Sequence, residues 1–257
     1  NGYLTDRYDP IPLARGIGGS LSYKPSTSSN IKFIFDYSQD KIGVRNTGPS
    51  FDGFFNSGSK TVFSNIKYSA GLGSKIYMSM GLSYSNHKDD VLYGILDTKT
   101  NQLYSKYRLD FTYQLSKKVD INTGGEYEYN EDTFDGRVPQ QSYNIRTDAP
   151  YFDLNNLSHT GRVGGYVEAQ IKPFKSFFTI AGLRTDYHTL SKKTVADQRL
   201  SIGWKFAKNN IVRGAVGIYH QFPNLEYYAQ SDNFSLKPEE ATHYILGYEF
   251  NVNEGVF

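Results

Sequence analysis

The stretch Lys106-Tyr107-Arg108-Leu109-Asp110-Phe111-Thr112-Tyr113-Gln114-Leu115 alternates without exception between polar side chains and apolar or aromatic ones. Side chains of a β-strand point to opposite faces in turn, so this stretch predicts a strand with one polar and one apolar face. About eleven such segments of roughly ten to thirteen residues follow one another without a helical pattern, and that length suits tilted strands that cross a bilayer. The sequence therefore predicts an all-β protein, an antiparallel transmembrane β-barrel meander.

The predicted strands are joined by connections of two kinds. The strands are Arg15–Tyr23, Ile31–Ser38, Thr61–Leu72, Lys75–Asn86, Leu103–Leu115, Val119–Asn130, Thr160–Ile171, Phe177–His188, Asp197–Phe206, Ile211–Gln221 and Thr242–Phe250. Short turns are predicted at Lys24–Asn30, Gly73–Ser74, Ser116–Lys118, Lys172–Ser176 and Ala207–Asn210. Mostly longer loops are predicted at Gln39–Lys60, His87–Gln102, Glu131–His159, Thr189–Ala196 and Phe222–Ala241. A soluble sandwich can also alternate, but this regular contrast is typical of outer-membrane barrels, with short periplasmic turns and long extracellular loops.

The composition fits this class and excludes several others. Hydrophobic residues make up 38% of the chain and the mean hydropathy is −0.55, so no helical membrane protein is indicated. Aromatic residues make up 16%, which suits the aromatic girdles of a barrel. A net charge of +2 gives no reason to expect nucleic-acid binding, and the absence of Cys excludes disulfides and thiolate chemistry. No signal peptide is recognisable at the first residues, so we expect a mature or partial form of an exported protein.

The alternation predicts which side chains meet lipid and which face the lumen. Tyr107, Leu109, Phe111, Leu200, Ile202 and Trp204 fall on the apolar face, and Arg108, Asp110, Arg199 and Lys205 fall on the polar face. Ile34 and Ile180 are exceptions, because both fall on faces that are otherwise polar. Many charged inward positions favour a wide or plugged barrel over a small one filled with side chains.

The strand number points to a segment of something larger. Eleven is odd, whereas bacterial single-chain barrels have an even number of strands. An open sheet with unpaired edges cannot lie in hydrocarbon. Either the chain is a segment of a larger barrel or another chain completes it, and we favour the first.

Several motifs in the last hundred or so residues carry a family resemblance. They are Gly164-Gly165-Tyr166-Val167-Glu168, Ala181-Gly182-Leu183-Arg184-Thr185-Asp186, Val212-Arg213-Gly214-Ala215-Val216-Gly217-Ile218-Tyr219 and, most specifically, Leu236-Lys237-Pro238-Glu239-Glu240-Ala241-Thr242-His243-Tyr244 leading into Gly247-Tyr248-Glu249. The last resembles the loop-to-strand signature of TonB-dependent outer-membrane receptors. Pro238 suits that place because it precedes the strand and has no amide hydrogen to give to the ladder.

The resemblance implies a barrel of about 22 strands that is plugged by an N-terminal domain. Such receptors take up scarce nutrients such as ferric siderophores, haem, cobalamin or glycans, and a periplasmic energy-coupling protein of the TonB type drives them. No plug domain or coupling box precedes the first predicted strand, and closing strands are missing. We therefore expect residues 1–257 to be one partial barrel domain in the bacterial outer membrane, unable to perform coupled transport alone.

Charged residues on the predicted inner face are the candidate contacts for a ligand or for the plug. They are Arg162, Glu168, Arg184, Asp186, Asp197, Arg199 and Arg213. A wall of mixed-sign pairs wetted by the lumen is the alternative. Arg184 and Arg199 should lie at similar heights and could attract an anionic ligand or a plug carboxylate, since Arg binds carboxylates in bidentate fashion. Aromatic residues in the loops could bind a ligand or pack the loops: Phe51, Phe54, Phe55, Tyr151, Phe152, Tyr227 and Tyr228.

The sequence gives no sign of catalysis, of a metal site or of a cofactor. The five His residues show no ligand spacing, and the acidic segment from Asn130 to Gly136 does not follow the order of an EF-hand loop. No Gly-x-Ser-x-Gly motif occurs. A transport receptor is the leading prediction. The alternatives are a non-transporting barrel scaffold in a larger assembly and, after it, a surface barrel protease.

Overall fold

Antiparallel strands follow one another in a single sheet, each paired with its neighbours in sequence. A computed structural model describes residues 7–48, 51–224, 228 and 235–250. Within these residues the sheet has eleven strands: β1 (Leu13–Ser26), β2 (Ser29–Gly48), β3 (Phe51–Leu72), β4 (Ile76–Tyr93), β5 (Leu96–Ser116), β6 (Val119–Pro139), β7 (Tyr151–Phe174), β8 (Phe177–His188), β9 (Lys193–Ala207), β10 (Asn210–Gln221) and β11 (Glu239–Phe250). The prediction of an all-β antiparallel meander is confirmed, and the sheet is a partial barrel.

The connections confirm the short turns and show that several of the predicted loops are shorter than expected. Tight turns join the strands at 27–28, 73–75, 117–118, 175–176 and 208–209, where the sequence predicts them. Gly73 supports one of these turns with a φ of +71°, a conformation that glycine adopts readily. The predicted loops Gln39–Lys60 and His87–Gln102 are wrong, because both segments continue the paired strands of hairpins. Pairing satisfies their backbone groups, and their polar side chains do not prevent it.

The remaining connections at the loop end vary in length. Residues 189–192 form a tight turn, whereas 140–150 and 222–238 are longer. The predicted loops Glu131–His159 and Thr189–Ala196 are therefore too long, because their outer residues pair as ends of β6, β7 and β9. The 140–150 loop folds against the β4–β5 turn, where the amide of Ile95 donates to the carbonyl oxygen of Ile145 at 3.1 Å. Arg146 donates two hydrogen bonds to Asp148 within the loop, and these lower the pKa of that carboxyl group. At the end of the longest connection, Pro238 immediately precedes β11, as predicted.

The strand register separates the side chains into a polar face and an apolar face. On β5, Arg108 lies opposite Gly81 and Glu126, while Tyr107 lies opposite Leu82 and Tyr127. All six predicted lipid-facing residues share the apolar face, where Trp204 is 56% exposed. The predicted lumen-facing residues share the other face. The two exceptions also lie there: Ile34 is opposite Asn65, and Ile180 is opposite Ser201.

The sheet curves toward its polar face. Tyr166 on β7 donates a hydrogen bond of 2.7 Å to Asp110 on β5, and Arg184 on β8 reaches Glu126 on β6. Side chains from strands that are not adjacent meet most readily where a sheet is concave. The apolar face is therefore the convex, outer face of the partial barrel.

The sheet is a single layer without a conventional hydrophobic core. In the described part of the chain, the buried hydrophobic residues are Ala70, Ile95, Ala149 and Tyr228. Backbone hydrogen bonds between the strands and polar contacts on the concave face must therefore stabilise much of this sheet. No described helix is long and apolar enough to cross a membrane.

Candidate functional site

Eight charged residues form a connected cluster on the concave face, which we name the charge ladder: Lys106, Arg108, Asp110, Glu126, Glu128, Arg162, Arg184 and Asp186. The strand register arranges them in three rows across β5 to β8. The first row is Lys106, Glu128, Arg162 and His188. The second is Arg108, Glu126, Gly164 and Asp186, and the third is Asp110, Gly124, Tyr166 and Arg184. Four cations balance four anions, so the cluster carries no net charge.

Glu126 is the centre of the charge ladder. Its carboxylate lies 3.0 Å from Lys106, 3.3 Å from Arg108 and 3.5 Å from Arg162. Arg184 donates a further hydrogen bond to it. The Glu126 side chain is only 6% exposed, so the surrounding cations replace the water that an ionised carboxylate requires.

Arg184 and Asp186 form a bidentate pair within the charge ladder. The Nε and Nη2 atoms of Arg184 donate to the two carboxylate oxygens of Asp186 at 2.6 and 2.7 Å. This bidentate geometry fixes the guanidinium as well as neutralising it. Arg162 extends the network, because it donates two hydrogen bonds to Glu128 and lies 3.5 Å from Asp186.

Two glycines make room for these contacts. A Cβ atom on Gly164 would lie 2.4 Å from Asp186 Oδ1 and 2.7 Å from Arg184 Nη2. A Cβ atom on Gly124 would lie 2.6 Å from Asp110 and 2.7 Å from the Tyr166 ring. Glycine inside a strand often marks such a close approach. Here the glycines let charged side chains meet across an intervening strand.

We expect Gly164→Val to lower the free energy of unfolding by about 1–3 kcal/mol, because the added side chain displaces the Arg184–Asp186 pair. Gly165→Val is the matched control. Gly165 lies on the opposite face, and the nearest atom to its Cβ position is the carbonyl oxygen of Gly124 at 3.8 Å. Urea unfolding of both variants would test this expectation, and equal losses would show that the space at Gly164 is not specifically required.

The seven candidate residues all lie on the concave face, but they fall into separate groups. Arg162, Arg184 and Asp186 belong to the charge ladder. Glu168 lies beyond its third row and accepts a hydrogen bond from Asn122 at 3.2 Å. The other three candidates, Asp197, Arg199 and Arg213, lie on β9 and β10.

Asp197 is the buried member of the β9–β10 group. It lies 2.8 Å from Nδ1 of His220, and its carboxylate also accepts a hydrogen bond from the His220 amide. Nε2 of the same imidazole lies 3.1 Å from Glu240 on β11. Arg213 instead donates to Glu249 at 2.6 Å and lies over the ring of Phe178.

Arg184 and Arg199 lie on neighbouring strands, but they are offset by two residues rather than level with each other, as the sequence predicts. Arg184 lies opposite Asp197, whereas Arg199 lies opposite Gly182, which precedes Arg184 by two residues on β8. Two carboxylates engage Arg184, and its side chain is 18% exposed. Arg199 is 47% exposed and lies 4.9 Å from the centre of the Tyr219 ring. Arg199 is therefore the more accessible cation of the two.

Sequence reasoning missed Glu126, Glu128 and Lys106 as site residues. The alternation places them on the polar face, as it does many other residues. Their importance depends on which strands lie beside them, and a single sequence does not specify that. The glycines at positions 124 and 164 were the available signal, since both interrupt a strand on this face.

The predicted loop aromatics take different positions. Phe51 and Phe55 both contact the ring of Tyr93 edge-on. Arg137 lies over the ring of Tyr151, and Phe152 is exposed. Phe54 lies on β3, and Tyr227 falls outside the described residues. Tyr228 is buried and stacks on His188.

His188 contacts several residues at the loop end of the concave face. Its Nε2 atom lies 2.8 Å from the Thr160 hydroxyl, its Nδ1 atom lies 2.9 Å from the Ser191 hydroxyl, and its ring stacks on Phe222 at 4.7 Å. A cavity of about 1300 Å³ opens beside it, between β4 and β7. Within the described ranges, no group of three or more His, Asp or Glu residues is placed to hold a metal ion.

Solved structures share this architecture. The chain superposes on the siderophore receptor PiuA from Acinetobacter baumannii with a TM-score of 0.69 and 13% identity, covering 93% of this chain and 47% of that one. For the ferric-catecholate import receptor Fiu from E. coli K12 the TM-score is 0.73, with 12% identity and coverages of 94% and 49%. For the alcaligin receptor FauA from Bordetella pertussis it is 0.72, with 10% identity and coverages of 94% and 41%.

The chain thus spans about half the length of these proteins or less, and at such low identity the likeness shows the fold alone. No curated protein matches the sequence. Residues 2–257 match the protein family described as TonB dependent receptor-like, beta-barrel. The chain therefore belongs to the β-barrel family of TonB-dependent receptors, which lie in the outer membrane of Gram-negative bacteria.

Proposed function

We propose that the chain forms part of the barrel wall of an active transporter that takes up a scarce nutrient across the outer membrane. The complete protein would contain an N-terminal plug domain inside the barrel and would be driven by a periplasmic coupling protein. The substrate would come from the siderophore, haem, cobalamin or glycan classes. The family match over residues 2–257 carries this proposal.

The concave face supports a transport role over that of a passive scaffold. A barrel wall needs only enough inward polarity to meet water, whereas this face carries fixed, balanced charges across four adjacent strands. Such a rigid polar surface suits a plug domain that must be held firmly at rest and released when energy is supplied. Catalysis plays no part in the proposal.

Arg199 is the candidate wall contact for the plug. Its guanidinium is half exposed, lies 3.9 Å from Asp197 and stacks on Tyr219. It therefore has N–H groups available to donate hydrogen bonds to a further carboxylate. We expect Arg199→Ala in the complete receptor to reduce energised uptake several-fold while ligand affinity stays unchanged. Lys205→Ala, on the same face of β9 near the turn end, is the control.

Uptake and binding would be measured separately, with radiolabelled candidates of the four nutrient classes, in cells with and without the coupling protein. Uptake that requires the coupling protein supports transport. A receptor that imports none of these candidates, whether or not the coupling protein is present, would favour the scaffold. Loss of affinity in Arg199→Ala would assign this residue to the ligand rather than to the plug.

A further inference from the structure

The cavity beside His188 is lined by nine side chains in three rows on the concave face, which we name the polar lattice: Thr100, Gln102 and Tyr104 on β5, Asn130, Asp132 and Phe134 on β6, and Asn156, Ser158 and Thr160 on β7. The register places Tyr104, Asn130 and Thr160 in one row. Gln102, Asp132 and Ser158 form the next row, and Thr100, Phe134 and Asn156 form the third.

The side chains of the polar lattice are mostly uncharged, unlike those of the charge ladder, whose first row is adjacent to it on the same strands. Six of the nine side chains are aliphatic and end in a hydroxyl or an amide, two are aromatic and one is a carboxylate. None is a cation. Across the whole cavity wall, the carboxylates of Glu128, Asp132 and Asp153 outnumber the single guanidinium of Arg162.

The basic side chains near the cavity already have partners. Arg162 donates two hydrogen bonds to Glu128, and Lys106 lies 2.6 Å from the same carboxylate. The imidazole of His87 lies between Thr61 and Asp89, and that of His188 lies between Thr160 and Ser191. An anionic ferric chelate or a haem propionate would find no open cation among the described residues of this wall.

Several lattice groups are available to a neutral ligand. Among the described residues, the side chains of Thr100, Gln102 and Asn130 make no hydrogen bond to protein, so their polar atoms are free for a ligand or for water. Hydroxyl and amide side chains both donate and accept hydrogen bonds, as the hydroxyl groups of a sugar do. Tyr104 and Phe134 offer flat apolar faces between these groups.

The lattice also has a suitable size. Alternate residues on a strand are about 7 Å apart and neighbouring strands about 5 Å apart, so the nine side chains cover an area of about 14 by 10 Å. Small-molecule sites are concave and hold a few convergent polar groups among apolar ones. The polar lattice is concave but mostly polar, which suits a ligand that is itself rich in hydroxyl groups. The area suits a short segment of an oligosaccharide.

We propose that the polar lattice binds a neutral oligosaccharide and that this receptor is specific for a glycan rather than for an anionic metal chelate. This inference rests on the proposed transport function and specifies its substrate class. Phe222, stacked on His188 at the edge of the cavity, adds a third aromatic surface to the site.

The test is calorimetric binding to the complete receptor. The probes are hexasaccharides of α-glucan, β-glucan, xylan and mannan, with a ferric tris-catecholate complex as the anionic comparison. We expect at least one hexasaccharide to bind and the ferric complex not to bind. Gln102→Ala combined with Asn130→Ala should weaken saccharide binding by about tenfold or more, since two hydrogen-bonding groups are lost.

Asn101→Ala is the matched control. Asn101 neighbours Gln102 on β5 but points to the convex face, where it accepts a hydrogen bond from Asn86. The affinity of the Asn101→Ala receptor for the saccharide should be unchanged. Equal weakening in the control, binding of the ferric complex, or binding of none of the four hexasaccharides would overturn the glycan proposal. Coupling-dependent import of another nutrient in that last case would leave the transport proposal intact, whereas import of none of the nutrient classes would overturn both.

Discussion

Replacement of Glu126 by alanine should lower the free energy of unfolding of the barrel by about 3–5 kcal/mol, the usual penalty for removing one partner of a buried ion pair. Glu126 is 6% exposed and contacts four cations, from Lys106 on β5 to Arg184 on β8. Without it, the charge ladder has four positive groups and three negative ones, and the buried carboxylate on which the cations converge is lost. Urea unfolding of the complete receptor in lipid would measure the loss.

Glu168→Ala is the matched control for this prediction. Glu168 lies on the same face and accepts one hydrogen bond from Asn122 in place of several ion pairs. Its loss should cost about 1 kcal/mol. If both substitutions destabilise the barrel equally, the cations around Glu126 are screened by water and the charge ladder is not a structural unit.

Combining Glu126→Ala with Arg184→Ala distinguishes two causes of destabilisation in Glu126→Ala, the excess positive charge and the loss of side-chain packing. Arg184 is the closest partner of Glu126, and its other carboxylate partner is Asp186. Because Glu126→Ala leaves one cation in excess, adding Arg184→Ala restores neutrality. We expect the double variant to be less destabilised than the sum of the two single variants, a coupling that distant residues would not show.

The faces of the strands could be predicted from the sequence because side-chain alternation is a local property. Leu109 and Asp110 point to opposite faces whatever their neighbours are. The strand number and the positions of the tight turns were predictable for the same reason. The position of Pro238 before β11 was also predictable, because proline has no amide hydrogen and so does not suit a position that must donate a backbone hydrogen bond to a neighbouring strand.

The loop lengths were less predictable, because loss of clean alternation does not mean loss of pairing. Residues 39–48 and 51–60 carry polar side chains and glycines, yet they pair residue by residue in the β2–β3 hairpin. Beyond the hydrocarbon zone neither face must be apolar. A hairpin that extends there has no alternating signature for sequence analysis to detect.

The charge ladder and the polar lattice depend on the alignment of four strands, which a single sequence does not encode locally. Glu126 and Arg184 are separated by more than fifty residues, and they meet across Gly164, which lies between Glu126 and Asp186 in the second row. Selection by charge alone identified Arg184 and Asp186 but passed over Glu126. It also passed over the uncharged residues of the cavity. Gln102 and Asn130 are polar residues of ordinary strands in the sequence, and only the structure shows that they line the same cavity.

Leu109→Arg should impair membrane assembly by about 2–4 kcal/mol, the cost of placing an arginine on the lipid face of a barrel near the middle of the bilayer. Leu109 is 39% exposed on the convex face, opposite Met80 on β4, and lies near the centre of the segment 106–115. The guanidinium would have to reach the membrane surface or carry water with it into the hydrocarbon.

The control for Leu109→Arg must introduce the same charge on the concave face without breaking the charge ladder. Asp110 is unsuitable, because it accepts hydrogen bonds from Arg108 and Tyr166. Ser79 on β4 lies opposite Asp110, so the new guanidinium in Ser79→Arg would face a carboxylate. Folding yields into lipid vesicles and urea unfolding should show a large loss for Leu109→Arg and little or none for Ser79→Arg. Equal tolerance of both would contradict the assignment of the convex face to lipid, because an arginine is well accommodated only where water or a counter-charge can reach it.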